Sequence, residues 1–167
     1  MKNLLYLCVC SMLSLFSCQP KESAPEDRSI GFATAEPSDK WHLGTEAAIQ
    51  VVKDLDAVWS KKDFDGMRVF FSDTASFYFP NGTVVKSPEE FIAILKKSNE
   101  EVEDSWTFDY AFSVDLNPSL GGEHVQAGFT NTSVKAGVTT KRNLHESYYI
   151  INGKIVWWNQ YAMDLKE

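Results

Sequence analysis

The sequence predicts an α+β domain in which helices precede a run of long antiparallel strands. Three observations carry that prediction. Apolar residues recur at three- and four-residue steps between Thr45 and Lys62, the period of one helix face. From Trp106 onward the apolar repeat shortens to two, the period of a half-buried strand. Asn152-Gly153, a dipeptide suited to the positive backbone angles of a tight hairpin, separates the last two alternating segments. Helices grouped first and strands grouped afterwards give helices packed on one face of a sheet.

The first element is not structural. Lys2 precedes an apolar run from Leu4 to Phe16, a positive start and short apolar middle that describe a secretory signal over residues 1–17. Such a run is too short to cross a hydrocarbon core of roughly 30 Å. Leu15-Phe16-Ser17-Cys18 resembles the lipobox of bacterial lipoproteins. The resemblance implies cleavage before Cys18, lipidation of that cysteine, and a bacterial cell-envelope location on the periplasmic or outer-membrane face. Cys8 and Cys10 leave with the signal, so no thiol or disulfide is expected in the mature domain. Residues 18–40 are rich in proline, small and charged side chains and read as a flexible tether. The domain is expected over residues 41–167.

Thr45 is the expected N-cap of the first helix, with Glu46 at the positive end of the dipole. Ala48, Val51, Val52, Leu55, Val58 and Trp59 form its apolar face. A short helix is possible over Asp65 to Phe71, and Ala75 to Phe79 reads as a strand ending at Pro80-Asn81-Gly82. Ser87-Pro88-Glu89-Glu90 opens a second helix, with Ser87 as cap, Pro88 in the first helical position and Glu90 completing a capping box. Trp106, Phe108, Tyr110, Phe112 and Val114 then alternate with smaller or polar residues, and strands follow near 123–134, 138–151 and 154–163.

Composition bounds the function. Net charge is −7, so binding to nucleic acid is not expected, because phosphate neutralisation needs a basic surface. Aromatic residues make up 13% of the chain, enough to fill a small core or to line a pocket. His42, His124 and His145 lack zinc spacing, and Lys61 and Ser72 occupy ligand positions that a calcium loop around Asp63 would need. No metal or cofactor is expected.

The order of these elements, with Asp63-Phe64-Asp65-Gly66-Met67, Phe70-Phe71-Ser72-Asp73-Thr74-Ala75, Phe79-Pro80-Asn81-Gly82 and Asn152-Gly153-Lys154-Ile155, resembles the nuclear-transport-factor-2-like superfamily in its SnoaL-like branch. The resemblance spans roughly residues 44–164. It implies a cone-shaped roll of N-terminal helices on a curved, mostly antiparallel sheet, one enclosed pocket, and homodimers through the sheet. It also implies where catalytic groups would stand. The aspartate base of the isomerases falls on Phe79, which cannot take a proton. The Trp and Asp of the epoxide hydrolases fall on Trp158 and Gln160, so the acid has become an amide. The acid of the cyclases falls on Glu146 or His145, which point to opposite faces. A two-residue turn at Asn152-Gly153 pairs Ser147 with Trp158 and puts His145 on their face. A three-residue turn with a glycine bulge pairs Glu146 with Trp158 instead.

Function is therefore expected to be binding of a small apolar molecule in an aromatic-lined pocket, with Trp59, Tyr78, Phe79, Trp106, Tyr148, Trp158 and Gln160 as candidate contacts. The alternative is a cofactor-free lyase, isomerase or hydrolase using His145 or Glu146 as general acid or base. Trp157 and Trp158, adjacent on a strand, are expected to face opposite ways, one to the cavity and one to the outer sheet face.

Overall fold

The computed structural model describes residues 29–35 and 37–166. The expected signal peptide, Cys18 and the first part of the expected tether lie outside the described residues. Within the remainder of the tether, Ile30 and Trp41 exchange two backbone hydrogen bonds of 2.9 and 2.8 Å.

Strand β1 (His42–Leu43) leads into helix α1 (Glu46–Trp59), whose N-cap is Thr45 as predicted, its hydroxyl accepting from Ala48 N at 3.2 Å. A carboxylate reinforces this cap. Glu123, reaching from a later strand, accepts from Thr45 N and from the Thr45 hydroxyl at 2.5 and 2.8 Å. Val52 and Leu55 of α1 are almost wholly buried, each such side chain stabilising the fold by about 1.5–3 kcal/mol.

A 3-10 turn (Gly66–Phe70) precedes β2 (Phe71–Tyr78) and β3 (Val84–Val85). Helix α2 (Pro88–Glu101) starts as read from sequence, with Ser87 Oγ accepting from Glu90 N at 3.3 Å. The reciprocal half of the capping box is replaced: the Ser87 hydroxyl donates to Glu89 at 2.9 Å. Four long strands complete the chain: β4 (Glu103–Asp115), β5 (Gly122–Lys135), β6 (Val138–Ile151) and β7 (Lys154–Asp164).

All seven strands form one sheet in the order β1-β4-β5-β6-β7-β2-β3, antiparallel except for the parallel β2–β7 pair. Two extra residues bend it. Asp109 interrupts the β4–β5 register between Phe108 and Tyr110. Val156 interrupts the β6–β7 register, since Ile150 pairs with Ile155 but Tyr149 pairs with Trp157. Each extra residue increases local twist and reverses which side chains face inward. The predicted single alternation of β4 is corrected here: Trp106 and Phe108 face the helices, whereas Tyr110 and Phe112 stand half-exposed on the outer face. The helices cover the inner face, where Phe71, Phe77, Phe91, Tyr148 and Trp158 form the core. Phe77 and Phe91 stack at 4.0 Å between centroids.

Candidate functional site

The β6–β7 hairpin sets the site. Asn152 and Gly153 both have positive φ, 51° and 72°, the geometry of the two-residue turn their sequence favours. That turn alone would put His145 on the face of Trp158. The bulge at Val156 shifts the register by one residue, so Tyr148 lies opposite Trp158 and Glu146 opposite Gln160. Neither pairing expected from sequence occurs, but the group brought inside is the carboxyl.

These side chains border a cavity of about 720 Å³. Trp59 of α1, Phe79 after β2, Trp106 of β4, Phe129 of β5 and Trp158 of β7 supply aromatic walls, and Glu146, Gln160 and Asp56 supply polar groups. Trp59 sits at the centre of the aromatic group, with ring centroids 6.2 Å from Trp106 and 6.4 Å from Trp158. Phe79 closes on Trp158 edge to face at 5.4 Å. The outer wall is polar. Asn131 and Ser133 donate to Asp104, and the Ser133 hydroxyl oxygen lies 2.8 Å from Asn131 Oδ1.

Glu146 is 4% exposed. Its Oε1 accepts from Gln160 Nε2 at 2.7 Å, and its Oε2 accepts from the Tyr148 hydroxyl. Burial raises its pKa above the usual carboxylate range, and the charge of Asp56 adds to that, while the hydrogen-bonding groups around it, those of Trp158, Tyr148 and Gln160, oppose. The Trp158 indole N–H is turned toward this carboxyl and favours its ionised form, yet closes no hydrogen bond. The Tyr148 hydroxyl is pushed well above its ordinary value, first by burial and then by the adjacent Glu146. Asp56 was not singled out in the sequence. Its Oδ1 accepts from Trp106 Nε1 at 2.7 Å, fixing an indole of one cavity wall against α1. Its signal was present as a carboxylate one turn before Trp59 on the α1 face that neighbours β4.

Three of the predicted site residues do not border the cavity. His145 is on the outer face, with Nε2 2.9 Å from Gln126 Oε1 and Nδ1 3.3 Å from the Tyr110 hydroxyl. The register shift at Val156 puts it there, and it does not border the cavity. Tyr78, the last residue of β2, is 40% exposed and does not border the cavity. Tyr148 is buried behind the wall, its hydroxyl donating to Glu146. Trp59, Phe79, Trp106, Trp158, Gln160 and Glu146 all border the cavity. Trp157 faces outward as expected, against His124 and Tyr149.

No protein-family model and no curated protein sequence matches the chain. Solved structures of the same shape do. An NTF2-like protein from Burkholderia xenovorans superposes with a TM-score of 0.58 at 17% identity, covering 73% of this chain and 93% of that one. An LEH-like epoxide hydrolase from M. tuberculosis gives 0.60 at 14% identity over 71% and 84% of the two chains. A protein with a ketosteroid isomerase-like fold from Catenulispora acidiphila, solved with trimethylamine, gives 0.56 at 12% identity over 66% and 83%. At these identities the likeness establishes the fold, the α+β cone of NTF2-like proteins.

Proposed function

We propose that this chain is an exported domain, held at the cell envelope by a lipid on Cys18, that binds a small molecule with an apolar body beneath its curved sheet. One observation carries the binding reading: a cavity of about 720 Å³ bordered by Trp59, Phe79, Trp106, Phe129 and Trp158, with the buried Glu146 carboxyl among them. That volume falls in the range of small-molecule sites, where apolar walls supply affinity and a few placed polar groups supply orientation. Native mass spectrometry of the purified protein tests it: a retained small molecule displaced by Trp158→Ala is expected, and a chain that stays empty with every apolar compound offered contradicts it. Cys18→Ser is expected to move the protein from the membrane to the soluble fraction.

A second reading, acid–base catalysis without a cofactor, is favoured by the company Glu146 keeps. Burial shifts the Glu146 carboxyl toward its protonated, proton-donating form, and Asp56 borders the same cavity as an acceptor. A pH–rate profile that loses its basic limb in Glu146→Gln supports this reading.

The outer face of the sheet exposes Tyr110, Phe112, Tyr161 and Met163. We propose that a second copy of the chain covers them, which light scattering of wild type and Tyr161→Glu tests.

A further inference from the structure

Four carboxyls border the cavity, those of Asp56, Asp104, Glu146 and Asp164, and among the described residues only Asp164 is answered by a basic side chain. None of the ion pairs among the described residues involves Asp56 or Glu146. The basic residues bordering the cavity are committed elsewhere: Lys135 pairs with Glu101 at 2.9 Å and Arg142 with Asp164 at 2.6 Å. The third, Lys62, donates to the Asp104 carbonyl at 3.1 Å and holds its ammonium 5.0 Å from the Trp106 ring centroid. Lys62 sits just past the end of α1 in a left-handed backbone conformation with φ of 60°, which a non-glycine residue adopts only at a cost.

Lys62 shows what the cavity favours. Indole faces are electron-rich and attract a cation, most strongly where water is thin. Trp59 and Trp106 meet at a steep 71°, so the two rings form a corner beside Asp56. A neutral apolar ligand would use the rings and leave the Asp56 charge facing it. An anion would be repelled. A cation with an apolar body satisfies the Asp56 carboxylate and the rings together. The chain's net charge of −7 also draws cations toward it.

We infer that the cavity takes a small organic ammonium ion, an alkylated amine with an apolar body, with its charged nitrogen between Asp56 and the indole faces of Trp59 and Trp106. This rests on the reading that the cavity binds a small molecule, and it names that molecule's charge class.

The test uses two probes of the same shape, phenyltrimethylammonium and neutral tert-butylbenzene, titrated into purified full-length protein and followed by the indole N–H resonances. The ammonium is expected to bind at least about ten-fold more tightly than the neutral isostere. Asp56→Asn keeps an acceptor for Trp106 Nε1. It is expected to weaken the ammonium about ten-fold and to leave tert-butylbenzene unchanged. Trp59→Leu provides a second variant, expected to lower the ratio of the two affinities. Equal affinities in wild type, or an unchanged ratio in both variants, would overturn the ammonium assignment while the cavity reading stood. Failure of both probes to bind would overturn both.

Discussion

Residues 144–148 of β6 alternate between two environments. On the inner face, Glu146 is 4% exposed, shares its oxygens with Tyr148 and Gln160, and is pushed toward its neutral form by burial. One residue away, His145 stands on the outer face against Gln126 and Tyr110. Twelve residues closer to the chain end the same contrast recurs on β7, with Trp158 buried in the core and Trp157 half-buried outside. Adjacent residues of similar chemistry thus acquire different roles from the face they occupy, and that face is set by a single inserted residue, Val156.

Deletions on the two faces of β7 give the largest expected difference. Trp158→Ala removes a core indole and should cost about 3–5 kcal/mol in denaturant unfolding. Trp157→Ala should cost about 1 kcal/mol. Equal losses would mean that the two faces are not distinct.

Glu146→Ala comes next, at about 2–3 kcal/mol, because the Tyr148 hydroxyl and the Gln160 amide lose their acceptor inside the protein. Glu146→Gln sharpens this with pH. The folded state holds the Glu146 proton more tightly than the unfolded chain does. Its contribution is therefore full below the ordinary carboxyl pKa and is lost as pH rises toward the raised value. Unfolding at a series of pH values should show Glu146→Gln gaining on wild type as pH increases.

Glu123, at the far end of the same inner face, is expected to do the opposite. Burial alone would raise its pKa, but the Thr45 backbone N–H, the Thr45 hydroxyl and the Ser113 hydroxyl outweigh that and hold it below the usual range. Its support of the α1 N-terminus is present above the ordinary carboxyl pKa and is lost as pH falls through the lowered value. Glu123→Ala should cost about 1 kcal/mol near neutral pH, less in acid, measured by thermal melts.

The smallest effect belongs to His145. His145→Ala should change stability by less than about 0.5 kcal/mol and leave ligand binding untouched, as calorimetry would report.

The fold was legible because its signals are local. Thr45, Ser87 and Pro88 mark the starts of both helices, and the Asn152-Gly153 turn forms where the dipeptide stands. The cavity's aromatic walls were legible from strand alternation and from the likeness of element order. The bulges at Asp109 and Val156 were not, because neither residue carries the glycine that often marks an extra residue, and pairing between distant strands decides them. Those two positions turned Tyr110 and His145 outward and Glu146 inward. Asp56 was missed for a related reason: its role depends on Trp106, fifty residues away in sequence.

The account turns on Glu146 being a buried carboxyl on the inner face of the sheet, with its pKa raised by that burial. The carboxyl carbon resonance of Glu146, assigned by its loss in Glu146→Gln and followed across pH by NMR, tests this directly. The midpoint is expected above the ordinary glutamate value and unmoved by His145→Ala. A midpoint at or below that ordinary value would contradict the account.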